Sequence, residues 1–140
     1  MTEHRQMQIG QVAERTGLSL RTIRHYEEVG LVVPSARSKG GFRLYTAADV
    51  DRLMVIRRMK PLDFSLDEMR DLLEITDRLA VSDGPPTGEE RALLRERLDS
   101  YRKVADARCE TLRARLAMAE DFAATLQQRL ANESGSLTQR

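Results

Sequence analysis

From Glu89 to Ala131 the chain contains no glycine and no proline. A gap that long between helix breakers admits one simple fold, a single continuous helix. Inward positions can be followed as Leu94, Leu98, Tyr101, Ala105, Cys109, Leu112, Leu116, Ala119, Ala123, Leu126 and Leu130. Ten steps cover 36 residues, a mean of 3.6. That is the period of a straight helix, not the 3.5 of a strict heptad. Some 40 residues would span roughly 60 Å at about 1.5 Å each. Nothing else in the chain is large enough to cover such a stripe, so it is expected to bury against a second copy, as a two-fold dimer.

The rest of the chain divides around this rod. Residues 81–88, VSDGPPTG, hold two prolines and two glycines without apolar periodicity and read as a linker. Residues 1–80 then form the head, 89–132 the dimerisation helix and 133–140, NESGSLTQR from Asn132 on, a flexible, frayed tail. Within the head, Ile9, Val12 and Ala13 repeat at helical spacing and Gly17 closes that helix. Ser19 is the N-cap of a second helix, and Leu20, Ile23 and Tyr26 lie three apart on it. Two short helices joined by a few residues with a glycine match a helix-turn-helix. Gly30 and Pro34 stop the second helix. Ala36 to Tyr45 reads as a hairpin, with Gly40-Gly41 supplying positive φ at its turn. Phe42 and Leu44 are expected to pack on one face while Arg43 and Tyr45 stand on the other. Thr46 to Asp49 and Ser65 to Glu68 are capping boxes that open a third and a fourth helix. The third carries Val50, Leu53, Ile56 and Met59 or Met54, and the fourth Leu66, Met69, Leu72, Leu73, Thr76 and Leu79. Asp67 and Glu68 suit the fourth helix's positive N-terminal end rather than a catalytic pair.

Charge is distributed unevenly although the net charge is only +1. Between Ser19 and Lys60, nine basic residues stand against four acidic ones; between Pro61 and Asp83, two stand against seven. A basic helix followed by a basic hairpin is suited to lying on a nucleic-acid backbone. Aromatic residues are 4% of the chain, too few for a platform that stacks single-stranded bases. No nucleophile, base and acid fall into a legible set, so no enzyme is expected. One cysteine, Cys109, excludes an intramolecular disulfide and a cysteine-rich metal cluster within one chain. Mid-helix on the inward stripe it is expected to pack as a small apolar residue, or to pair with its copy across the dimer where the two-fold axis passes close by. Neither a membrane-length apolar run nor a signal peptide is present, so a cytoplasmic location is expected. His4 falls in the polar N-terminus and carries no expected role.

At this point the sequence resembles the MerR family of bacterial transcription regulators. The resemblance runs from Ile9 to Leu73 through Ile9-Gly10, Val12-Ala13, Thr16-Gly17-Leu18-Ser19, Thr22-Ile23-Arg24, Tyr26-Glu27, Gly30-Leu31 with Pro34, Gly40-Gly41-Phe42-Arg43 with Tyr45, and Phe64-Ser65-Leu66 with Glu68-Met69. It implies a mostly α fold: a winged helix-turn-helix DNA-binding domain followed by a long dimerisation helix in an antiparallel coiled coil. It implies a homodimer on pseudo-palindromic promoter DNA that distorts the spacer, with RNA polymerase as a further partner and no cofactor. Arg21, Thr22, Arg24, His25 and Tyr26 would lie on the major-groove helix, and Arg37, Lys39, Gly40, Gly41, Arg43 and Tyr45 in or around the wing. His25 stands where many members carry tyrosine, and Asp63 where a glycine is usual. Metal-sensing members use paired cysteines near the end of the dimer helix, which this chain lacks.

Some readings stay open at this stage. Arg24 could instead pair with Glu28, one helical turn on. Arg57 and Arg58 meet phosphate or face solvent. Tyr101, Met118 and Phe122 either line a small-molecule pocket or join the helix-helix core. Two rival functions remain: an architectural DNA-bending protein of excisionase type, and a coiled-coil adaptor that does not bind DNA.

Overall fold

A computed structural model describes residues 6–138, with side chains to residue 135. The chain order is β1 (Met7–Gln8), α1 (Ile9–Thr16), α2 (Leu20–Glu28), β2 (Ala36–Arg37), β3 (Arg43–Tyr45), α3 (Ala47–Met59), a 3-10 turn (Lys60–Leu62), α4 (Leu66–Ala80) and α5 (Gly88–Thr138). Residues up to Leu98 form one compact unit and those from Asp99 a second.

Local chemistry sets most boundaries in the first unit. Gly17 ends α1 at φ 72°, a left-handed conformation that costs glycine nothing. Ser19 caps α2 by accepting from the Thr22 N–H. Both expected capping boxes close: Thr46 with Asp49 at α3, and Ser65 with Glu68 at α4. Three strands make an antiparallel sheet in the order β1-β3-β2, with Met7 opposite Tyr45 and Ala36 opposite Leu44. The sequence indicated the β2–β3 hairpin but not β1. A two-residue strand is too short to leave a period, and only its pairing with β3 creates it.

Beneath this sheet the core collects Val12 of α1, Ile23 and Tyr26 of α2, Leu53 and Ile56 of α3, and Met69, Leu73 and Ile75 of α4, all buried. Each large apolar side chain removed from water contributes roughly 1.5–3 kcal/mol. Ile75 replaces Leu72 and Thr76 as a fully covered position of α4. The first turns of α5 belong to this unit, with Leu94 buried. Arg78 forks onto Glu90 with bonds of 3.1 and 2.8 Å, and its remaining arm donates to the Gly84 carbonyl at 2.9 Å. The hydrogen bond to Arg78 lowers the pKa of the Glu90 carboxyl. The segment between α4 and α5 is therefore pinned, and Pro86 within it is buried.

Asp63 has φ 58° and ψ 33°, the only non-glycine residue at positive φ among those described. A left-handed residue with a Cβ costs about 1–2 kcal/mol, part of which glycine would lose again in chain entropy. Asp63→Gly is expected to raise stability by about 0.5–1 kcal/mol, read as a higher thermal midpoint. A lower midpoint would mean that the aspartate side chain stabilises the turn.

Helix α5 starts one residue before the expected Glu89 and continues past Asn132 to Thr138, where a frayed tail was expected. Gln139 and Arg140 lie outside the described residues, as does His4. In the second unit, Leu112, Leu116, Leu126 and Leu130 are 40, 58, 49 and 70% exposed. Ala119 and Ala123 are exposed too, whereas Tyr101, Ala105 and Cys109 are half-buried, as is Leu98 in the first unit. The apolar stripe of α5 is thus largely bare in a single chain. Ion pairs one turn apart, Arg102 with Asp99 and Asp106 and Arg113 with Glu110, run along the same helix. No helix among the described residues is long and apolar enough to cross a membrane.

Candidate nucleic-acid interface

The helical period of α2 divides its residues. Ile23 and Tyr26 turn inward and are buried, while Arg21, Arg24 and His25 are exposed. Together with Glu28 these three line one shallow concavity. Arg24 and Glu28 form no ion pair, and neither Arg21 nor Arg24 has an acidic partner among the described residues. Their guanidinium groups are available for bidentate bonds to phosphate or to guanine O6 and N7. Thr22 is committed locally: its hydroxyl accepts from Ser19 at 2.8 Å, and its N–H is capped by the same serine.

At the wing, the turn is closed by bonds from the Ser38 N–H to the Phe42 carbonyl at 2.8 Å and from the Gly41 N–H to the Ser38 carbonyl at 2.9 Å. Gly41 takes φ 84° there. Gly40 has a different constraint, since a Cβ at that position would lie 3.2 Å from the Phe42 ring. Lys39 and Arg37 are exposed, and one Arg37 arm braces the Gly41 carbonyl at 3.1 Å.

Along β3 Arg43 and Leu44 are both half-buried, and Phe42 and Tyr45 differ from the expected sides. Tyr45 is fully buried and Phe42 is 63% exposed. Tyr45 has Met7 as its cross-strand neighbour and turns its ring toward α2, where its hydroxyl reaches Glu27. Burial raises the pKa of its hydroxyl, and so does the bond that it donates to Glu27 at 2.8 Å. The same carboxylate accepts from Arg43 Nε at 2.6 Å, which raises the Arg43 pKa. Tyr26 is buried as well. Tyr26, placed by the resemblance on the major-groove helix, and Tyr45, expected on the side of β3 that meets the backbone, both have their rings in the core of the head. Sequence reasoning missed Glu27, although its place one turn after Ile23 put an acid on the inner face, where a carboxylate requires partners.

Several basic residues donate to backbone carbonyls. Arg57 donates to the Thr16 carbonyl at 2.9 Å, Arg52 to the Leu31 carbonyl at 2.6 Å, and Arg70 to the Val29 carbonyl at 2.5 Å. The Thr16 and Val29 carbonyls are orphans at the ends of α1 and α2, and the Leu31 carbonyl lies in the loop that follows α2. Arg57 remains exposed to solvent while one of its terminal nitrogens is held by the Thr16 carbonyl. Arg58 is exposed. Arg57→Met is expected to lower stability by about 0.3–1 kcal/mol, the range for a charge at a helix end. A melt that did not move would show that the capping bond contributes nothing.

Comparison with known proteins matches this geometry. The family pattern described as MerR HTH family regulatory protein covers residues 7–75, and a second, described as MerR, DNA binding, covers residues 50–103. The chain belongs to the MerR family.

Among curated MerR-type relatives, the HTH-type transcriptional activator TipA of Streptomyces coelicolor is 39% identical over 107 residues, 76% of this chain and 41% of TipA. The HTH-type regulator CueR of Vibrio cholerae is 44% identical over 71 residues, 51% of each chain. The chain spans about half or less of the length of the curated relatives it matches. Among solved structures, HiNmlR, a MerR family regulator lacking the sensor domain and bound to promoter DNA, superposes with a TM-score of 0.64 at 27% identity, covering 90% of this chain and 94% of that one. PbrR691 from Ralstonia metallidurans, solved with lead(II), gives a TM-score of 0.50 at 35% identity, with 82% and 84% covered. These relatives are transcription regulators, not enzymes, as the absence of a legible catalytic set led us to expect. Among the described residues no three His, Cys, Asp or Glu side chains are grouped to hold a metal ion.

Proposed function

We propose that this MerR protein is a homodimeric, sequence-specific regulator of transcription that acts on double-stranded promoter DNA in the bacterial cytoplasm. The observation that carries the proposal is the exposed cationic face of α2, with Arg21, Arg24 and His25, in the same compact head as a wing with exposed Arg37 and Lys39. Phosphate contacts from the wing fix the register, and α2 reads base edges in the major groove. The bare stripe of α5, from Leu98 and Tyr101 through Ala105, Cys109, Leu112, Leu116, Ala119 and Leu126, is covered by the same stripe of a second chain in an antiparallel pair. Met118 and Phe122, 73 and 64% exposed, flank that stripe and widen its far end. Pairing doubles the head, so one dimer meets two half-sites and strains the spacer between them. A strained spacer changes how RNA polymerase engages the promoter. The relative HiNmlR, described as bound to promoter DNA, supports this choice of partner.

Footprinting on promoter fragments tests the proposal. Two protected half-sites with enhanced cleavage between them are expected. Uniform or absent protection would favour an architectural protein or an adaptor instead.

A further inference from the structure

The basic wing is tied to the major-groove helix by an acid. Glu27 of α2 has a side chain only 13% exposed, and both carboxylate oxygens are engaged by β3. One accepts from Arg43 Nε at 2.6 Å and the other from the Tyr45 hydroxyl at 2.8 Å. Tyr45 is itself fixed, since it is fully buried. The carboxylate therefore has one rigid anchor and one movable partner. The bond to Arg43 uses Nε alone, so both terminal nitrogens of the guanidinium remain unengaged by any described residue. The Arg43 side chain is 35% exposed. A guanidinium held by Nε keeps two N–H-bearing nitrogens in a fixed plane, the geometry that grips a phosphate oxygen pair.

We propose that Glu27 is a positioning residue for DNA binding, which holds the Arg43 guanidinium so that its two free nitrogens present to the backbone phosphate. The inference rests on the DNA-binding reading above and adds a counterintuitive consequence. By Coulomb's law alone, removing an acid from a DNA-binding head should tighten binding. Positioning gives the opposite sign. An immobilised guanidinium loses less side-chain freedom when it meets phosphate than a free one does. Releasing it restores that cost and lets the wing drift from α2.

The test uses the full chain and a labelled duplex recovered by wild-type protein from a randomised pool. Glu27→Ala is expected to weaken binding by about tenfold and to reduce the steepness of the salt dependence by about one phosphate's worth. Glu27→Gln removes the same charge, yet its amide oxygen can still accept from Nε and its amide nitrogen can still meet the tyrosine hydroxyl. It should recover most of the lost affinity. In an Arg43→Ala background, adding Glu27→Ala should cost nothing further, because the partner through which it acts is gone. Each variant is compared at a temperature where circular dichroism shows it folded. Unchanged or tighter binding by Glu27→Ala overturns the inference, and so does a loss that persists undiminished in the Arg43→Ala background, which would mark a purely structural role. If wild-type protein recovers no duplex, the DNA-binding reading fails first, and the inference fails with it.

Discussion

Leu112→Glu combined with Leu116→Glu is expected to leave the protein monomeric and to weaken operator binding by about 10²–10⁴-fold, the range lost when two linked contacts become one. In a single chain these leucines are 40 and 58% exposed. Covering the exposed half of each contributes roughly 1 kcal/mol, and a two-fold pair buries every position twice. Two carboxylates per chain in that seam replace burial by charges that cannot be desolvated cheaply. The helix itself should suffer as well. Beyond Leu98 it belongs to a unit with no other element, and a long helix in water without an apolar partner is only marginally stable. Lower helicity together with a monomeric sedimentation profile is thus the full expectation. Ala117→Glu, one residue on and turned by about 100°, should leave the dimer intact. A double variant that stayed dimeric would remove α5 as the assembly surface.

Arg24→Ala is expected to cost about 1–3 kcal/mol of operator binding, roughly ten- to hundredfold, with no change in the thermal midpoint. The two halves of that expectation have one source. Arg24 is exposed and bonds to no described acid, so the fold does not depend on it. Whatever it contributes must be made with a partner outside the head. Loss confined to particular base substitutions would mark a base-edge contact. A uniform loss with a shallower salt dependence would mark a phosphate contact. Arg57→Met gives the contrast, because its cation is already bonded to Thr16 and its removal should move stability first. Unaltered operator affinity in Arg24→Ala would refute the placement of α2 in the major groove.

These two arginines show where sequence and structure part company. Both belong to the cationic stretch between Ser19 and Lys60, and nothing in their immediate neighbours separates them. The separation arises because Arg57 reaches a carbonyl 41 residues away, a distance along the chain that no local pattern encodes. Arg43 is divided in a similar way, half structural through Glu27 and half open. Tyr45 and Phe42 exchanged their expected sides because Tyr45 packs toward α2 and bonds Glu27, 18 residues away along the chain.

By contrast, what the amino-acid order determined unaided was everything decided within about one helical turn. The Ser19 cap, the Thr46–Asp49 and Ser65–Glu68 boxes and the left-handed stop at Gly17 all formed as the residues indicated. So did the long helix, since 3.6-residue spacing and a run free of breakers are properties of consecutive residues. Tertiary structure alone decided which cations are spent on carbonyls, which aromatic rings lie inside, and that Glu27 joins helix to wing. Caps and periods are settled by neighbours a few bonds away. The partner of a long charged side chain is settled by whichever element folding brings within about 3 Å of its tip.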